Sequence, residues 1–263
     1  PDFNKPLHLF EQQKSKSEQQ MVTDAIRETF LGMAAANEQT REPCPLSHLT
    51  LGVECGGSDG FSGISANPAI GHASDLLAAL GGAPVLSEFP ELCGVEQSLC
   101  DRCVTPELAD KFVHLMRAYE TSAQACGSGS DADPSPGNIR DGLITDAIKS
   151  AGAAKKGGTS PVVGVIDYGE PVRACGGLTL CCTPGNDVES TTAMAAAGCN
   201  LIVFSTGLGP PTGNPVAPTV KVSTSTDLAT RMADIIDFDA GPIINGQQTV
   251  EQSGEALFNL LLD

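Results

Sequence analysis

The sequence predicts an α/β protein: three layers, with a mostly parallel, Rossmann-like sheet flanked by helices. Three observations predict it. Short runs rich in Val, Ile, Leu and Thr alternate with longer stretches of helical periodicity, the order that parallel βαβ units require. Several of the helical stretches carry readable start and stop signals. Glycine- and hydroxyl-rich segments follow four of the apolar runs, and ligand-binding loops gather at the carboxyl ends of strands in such sheets.

Residues 1–16 are polar and without periodicity, carrying Lys5, Lys14 and Lys16. From Ser17, Met21, Val22, Ile26, Phe30 and Met33 fall at helical spacing, and Pro43 and Pro45 lie beyond the end of that pattern. Residues 1–44 therefore read as a lead and an amphipathic helix closing a preceding domain. Residues 45–263 read as the α/β domain. Its expected strands are 49–54, 83–87, 162–167, 177–182, 201–205 and 219–223, and its expected helices 68–80, 106–125, 142–152, 188–198, 227–236 and 250–262. Asn67 before Pro68, Thr105 before Pro106 and Asp187 before Val188 read as N-caps, and Thr249 with Gln252 as a capping box. Gly81-Gly82 reads as a C-terminal stop.

With 263 residues, 41% hydrophobic and no tryptophan, the core must be filled largely by small apolar side chains. The net charge of −17, from 32 acidic against 15 basic residues, argues against nucleic acid or an anionic membrane as partner. No apolar run is long enough to span a bilayer. The chain opens on Pro1 rather than methionine, as a processed product or excised fragment would. Its ten cysteines are scattered rather than framing a small fold, which reads as reduced thiols in a cytoplasmic setting. Cys100-x-x-Cys103 has no second pair at zinc spacing. Chance placement on a helical turn is the plainer reading, a thiol-redox pair the alternative.

The most informative stretch is Glu54–Pro68, four glycines, a thiol, two carboxylates and three hydroxyls between a strand and a helix. Glycine there permits positive φ and close approach to a ligand, and the following helix turns free N–H groups towards an anion. The segments after 83–87, 177–182 and 201–205 are expected on the same rim, with 133–138 as a fifth member. None is a dinucleotide fingerprint or Walker loop.

Cys55–Ala69, taken with Leu86-Ser87-Glu88 and Glu91, Asn138, Lys156-Gly157-Gly158, Thr183–Asp187 and Thr206–Gly209, resembles the carboxy-terminal domain of altronate and galactarate dehydratases. The likeness runs over residues 47–262. One departure stands out: Leu208 lies where those enzymes read arginine, and leucine cannot grip a carboxylate bidentately. Glu88–Gly94 and Gly185–Ser190 are similar to a divergent large-subunit branch that includes the sulfolactate sulfo-lyase beta chain. The resemblance implies a cytoplasmic, metal-dependent lyase with a small anionic hydroxy acid as substrate, and further amino-terminal domains or a small subunit as partners. A homo-oligomer is a further option.

Dehydrating a 2,3-dihydroxy acid needs an acid–base pair and a means of holding a doubly negative enediolate. Asp59, Glu88 and Glu91 are the candidate catalytic groups. Cys55 and Asp59 are the candidate metal ligands, for Fe²⁺ with Mn²⁺ as an option. Gly56, Gly57, Ser58, Ser62, Asn67, Asn138, Asp187 and Thr206 are the candidate substrate contacts. Each has a structural alternative: a buried small hydrophobe for Cys55, caps for Asp59, Glu91, Asn67 and Asp187. Lys155-Lys156 reads as a solvated pair, with neutralising a carboxylate or acting as base as the alternative. The four histidines read as structural.

Overall fold

The computed structural model describes residues 5–129 and 133–263. The chain divides between Cys44 and Pro45 into two units. In the first, α1 (Glu18–Asn37) starts at Ser17, whose hydroxyl accepts the Gln20 N–H at 3.1 Å. It buries none of its residues, Ile26, Phe30 and Met33 among them.

The second unit is built on seven parallel strands: β1 (Thr50–Cys55), β2 (Ala83–Leu86), β3 (Val162–Ile166), β4 (Leu178–Cys181), β5 (Leu201–Thr206), β6 (Thr219–Ser223) and β7 (Phe238–Asp239), in the order β3-β4-β2-β1-β5-β6-β7. The chain leaves the central β1 to one side through β2, β3 and β4. It then crosses to β5 and continues away on the other side. The order thus reverses about β1, and in open α/β sheets ligands bind at such a point, beyond the carboxyl ends of the strands.

The helices are α2 (Ala66–Ala79), α3 (Glu96–Cys100), α4 (Pro106–Ala125), α5 (Pro136–Arg140), α6 (Asp146–Ala154), α7 (Asp187–Ala197), α8 (Thr226–Arg231) and α9 (Val250–Leu262). On one face, Leu51, Val53, Leu86 and Val203 pack with Ile70 and Leu77 of α2 and Leu257 of α9. On the other, Val85, Cys181 and Ile202 pack with Met194 and Ala197 of α7. Neighbouring residues on one strand serve opposite faces, as the pleat requires. The Phe89 and Phe112 rings meet edge to face, centroids 5.1 Å apart, and so pin α4 to the turn that follows β2.

Three local expectations are corrected. Asn67 does not cap α2. The helix begins at Ala66, and the Asn67 amide turns inward, donating to Gly152 O at 3.1 Å and accepting from Ser205 Oγ at 2.6 Å. Core partners compete successfully with the helix N–H groups for that side chain. The cap of α7 is Asn186, which accepts from Val188 N and Glu189 N, leaving Asp187 as the first helical residue. The helix expected at 142–152 starts only at Asp146, where the Thr145 hydroxyl accepts from Ile148 N. The Thr249–Gln252 capping box and the stop at Gly81, φ +87°, are as predicted.

Candidate active site

The loops after β1, β2, β4 and β5 and the 133–138 segment meet around one cavity of about 660 Å³ at the carboxyl edge of the sheet. Cys55, Gly56, Gly57, Ser58, Glu88, Glu91, Asn138 and Asp187 line it, together with Lys149 and Leu208. The tight turn leaving β1 depends on glycine. A Cβ on Gly56 would come 2.5 Å from Phe204 Cζ and 2.7 Å from Asp187 Oδ2, and Gly57 takes φ +61°.

At the cavity floor, Lys156 Nζ lies 2.7 Å from Cys55 Sγ, 2.8 Å from Glu88 Oε2 and 3.3 Å from Glu91 Oε2. The expectation of a solvated Lys155-Lys156 pair holds only for Lys155, which donates to Gly63 O. Lys156 is fully buried, because the 3₁₀ turn Lys155–Gly157 packs against α2 and turns the second lysine under the sheet edge. Cys55 Sγ donates to Glu91 Oε2 at 3.0 Å, and Cys55 N to Glu88 Oε2 at 3.0 Å. Glu91 Oε1 is 3.0 Å from Lys149 Nζ, which also pairs with Asp133. Glu88 is the one non-glycine residue at positive φ (+64°) among the described residues, a conformation that persists only where its surroundings impose it.

The charges interlock. Burial alone would raise the Glu91 carboxyl, but Lys156 and Lys149 outweigh it and hold it at about 2. Burial and then the charge of Glu91 lift Glu88 to about 7, with Lys156 opposing. Burial pulls the Lys156 ammonium down, yet Cys55, Glu88 and Glu91 push it well up. The Cys55 thiol is itself pushed well up by burial and by the Glu88 and Glu91 charges. We therefore read Cys55 as a thiol, and the balance to Lys156 as coming from the carboxylates rather than from a thiolate. One step further in, Glu54 is fully buried. Its Oε2 accepts from Ser190 Oγ at 2.6 Å and Ser87 Oγ at 2.9 Å. Burial and then Glu88 drive its carboxyl well above the usual carboxylate range, with Lys156 opposing. The structure thus sets three carboxyls with very different proton affinities side by side, Glu91 held low and Glu88 and Glu54 pushed up.

Four of the residues singled out in the sequence lie off the cavity wall. Asp59 is turned back on its own loop, accepting from Phe61 N and Ser62 Oγ at 3.1 Å and from Thr224 Oγ1 at 3.0 Å. Ser62 is thereby part of the loop's own bonding. Asn67 is the buried tie described above. Thr206 accepts from Leu208 N and Gly209 N. Asn138 does reach the wall, donating to Ser58 O at 2.9 Å while its Oδ1 completes a capping box with Ser135. Lys149 and Glu54 are not among the site residues expected from the sequence, and Lys156 enters there only through the alternative reading of its pair as neutralising a carboxylate or acting as base; its ammonium does face two carboxylates. The sequence signals for Lys156 and Glu54 are the motif Lys156-Gly157-Gly158 and the acidic residue opening the glycine loop; Lys149, inside α6, has none.

On the α7 face, Glu54, Phe204 and Lys221 stand side by side across β1, β5 and β6. Lys221 is 4% exposed. Its Nζ has no hydrogen-bond partner among the described residues and sits 3.3 Å above the Phe204 ring. Burial lowers its ammonium to about 8, against Asp187, Glu54 and Asp237. Lys221→Met is expected to stabilise the fold at pH 7 by about 1–3 kcal/mol, the desolvation cost less the ring contact. The gain should shrink as pH rises from about 8 to 10.5, because the folded wild type has then shed a proton that the unfolded chain still holds. Urea titrations at pH 7 and pH 10 check this; equal offsets at both would show the ammonium is not the cause.

Cys55, Glu88 and Glu91 also form a group with the donor set of a metal site, one ligand atom from each lying within 4.8 Å of the others. Asp59 is outside it. A thiol with two carboxylates suits a divalent transition ion. As arranged, however, all three residues already surround the Lys156 ammonium, so the cationic place is taken and the group does not fit a metal without a rearrangement. No helix among the described residues is long and apolar enough to cross a membrane.

Fold and cluster together define an α/β domain with a buried carboxylate–lysine–thiol cluster at the switch point of a parallel sheet. Residues 46–263 match the family model for D-galactarate/altronate dehydratase, C-terminal, and the chain belongs to that family. It is 46% identical over 207 residues to altronate dehydratase of Escherichia coli (strain K12), covering 79% of this chain and 41% of that protein. It is 37% identical over 246 residues to galactarate dehydratase (L-threo-forming) of the same organism, covering 93% and 47%. It is 31% identical over 244 residues to the (2R)-sulfolactate sulfo-lyase subunit beta of Chromohalobacter salexigens, covering 92% and 62%. The chain thus spans about half the length of the dehydratases it matches.

Proposed function

We propose that this chain is the C-terminal domain of a lyase that dehydrates a sugar acid of the altronate or galactarate type to a 2-keto-3-deoxy acid. The observation that carries the reading is the buried Glu88–Lys156–Glu91 cluster opening onto a cavity whose wall also bears Lys149. In the β-elimination, the C2–H bond breaks and its proton passes to a base. The electron pair forms C2=C3, and the C3 hydroxyl leaves as water on taking up a proton. The resulting enol tautomerises to the 2-keto acid. Glu88, near its midpoint at neutral pH, is the proton-transfer group. Glu91 holds Lys149 and Lys156 in place. Lys149 and the backbone N–H groups of Gly57 and Ser58 meet the substrate carboxylate against the −17 net charge. Asn138 and Asp187 face its hydroxyls.

Further domains or a small subunit complete the enzyme in this reading, and we take it to act in the cytoplasm with its thiols reduced. Fe²⁺, or Mn²⁺, is a cofactor reading supported by the thiol and carboxylate donors. With the Lys156 ammonium seated among Cys55, Glu88 and Glu91, those donors do not fit such an ion as they stand, and none of the steps above runs through it. The likeness to the (2R)-sulfolactate sulfo-lyase subunit beta, with Leu208 on the cavity wall where the dehydratase resemblance has arginine, supports a second reading, sulfite elimination from sulfolactate. A domain that only completes a site housed elsewhere is the non-catalytic alternative.

The complete enzyme should be given altronate, galactarate and sulfolactate in turn, with 2-keto-3-deoxy acid and sulfite both measured. A keto-deoxy product from either sugar acid is the expected result. Sulfite from sulfolactate alone would replace this reading with the second, and neither product would remove both.

A further inference from the structure

We infer that Lys156 is the resident cation of the Cys55–Glu88–Glu91 cluster, and that its ammonium and a divalent metal ion exclude one another there. Nζ stands 2.7, 2.8 and 3.3 Å from the thiol sulfur and one oxygen of each carboxylate. A metal ion bound to those three atoms at about 2.0–2.3 Å would lie within about 3 Å of Nζ, on either side of the plane they define. Two cations would then share two carboxylates with no water between them, and in a buried setting their repulsion is poorly screened. The donors cannot serve both.

Lys156 also has no easy exit. Its side chain is fully buried, and its turn is held from outside. The Lys156 carbonyl accepts from Ser74 Oγ of α2 at 3.2 Å, and the Gly157 carbonyl accepts from Arg102 Nη2 at 3.0 Å. Withdrawing the ammonium would leave Glu88 and Glu91 facing one another in the interior, so the lysine leaves only if another cation replaces it. The cluster is therefore a cation site already filled by the chain itself. Metal occupancy in this protein is set by competition with Lys156 rather than by the donors alone.

The test uses the full 263-residue chain, Co²⁺ as the probe and no substrate. Wild type, Lys156→Leu and Lys156→Leu/Cys55→Ser are titrated anaerobically, and binding is read by calorimetry and by the thiolate-to-cobalt absorption band. Leucine supplies no donor and leaves room for the ion. The expected result is a thiolate band in Lys156→Leu, at least about 100-fold tighter binding than wild type, and loss of the band with Cys55→Ser. Comparable binding and a band in wild type would overturn the inference. So would weaker binding in Lys156→Leu, which would make Lys156 a ligand, or no band in either protein. Should Lys156→Leu not fold alone, Co²⁺ must restore its folded circular-dichroism signal while leaving the unfolding midpoint of wild type unmoved; no such rescue also overturns the inference. The inference rests on the cluster's geometry and not on the substrate, so it can fail while the lyase reading stands, and the reverse.

Discussion

Glu88→Gln in the complete enzyme is expected to lower kcat by about 10²–10⁴-fold, the range for losing a positioned proton-transfer group, with KM changed only a few-fold. Glutamine keeps the shape and can still accept from Cys55 N and Lys156 Nζ, the two bonds Glu88 Oε2 makes. It cannot carry a proton. The wild-type profile should turn near pH 7, where this carboxyl titrates. If Glu88 gives the proton to the leaving hydroxyl, activity falls as pH rises through that value; if it takes the C2 proton, activity falls as pH drops through it. In either case the Gln variant should lack the inflection. A variant within ten-fold of wild type, with the same profile, would remove Glu88 from the chemistry.

Glu91→Gln is expected to act first on stability. Its carboxylate sits 3.0 Å from Lys149 Nζ and 3.3 Å from Lys156 Nζ, and removing one member of a buried ionic group leaves the others uncompensated. Losses of about 3–5 kcal/mol are usual for such a break. The pH dependence has a definite sign. The folded carboxyl is held at about 2 against an ordinary 4.5, so its stabilisation is complete above 4.5 and lost as pH falls towards 2. The gap between wild type and Glu91→Gln should therefore be widest at neutral pH and narrow below pH 4.5. Chemical denaturation at pH 7, 5 and 3.5 measures it. A gap that stays constant across that range would mean the loss comes from packing and not from charge.

The sequence was a good guide to the scaffold, and the reason is physical. Strands such as 49–54 and 201–205 are buried on both faces, so their Val, Ile and Leu content is visible without any tertiary knowledge. The last strand, Phe238–Asp239, has two residues and no period to detect. In the site, Cys55, Glu88 and Glu91 were legible because they lie at or a few residues beyond the ends of β1 and β2 and carry reactive groups. Their organiser was not. A lysine doublet beside two glycines looks solvated, and only the packing of the Lys155–Gly157 turn on α2 buries its second member. Asp59 went the other way. Its place in a glycine loop marks it as reactive, but a spacing along a loop does not say where a side chain turns, and its carboxylate closes the loop on itself. Asn67 was read as a cap for the same reason, local pattern outweighed by partners distant in sequence.

The left-handed backbone at Glu88 (φ +64°) bears on how this domain can vary. Any L side chain held there carries a penalty of about 1–2 kcal/mol that glycine would escape. Glycine would relieve that strain but would also remove the carboxylate that accepts from Cys55 N and Lys156 Nζ, leaving a buried ammonium short of a partner. The turn after β2 thus holds a strained backbone in place by a buried ionic group, and a change of residue there exchanges one cost for the other.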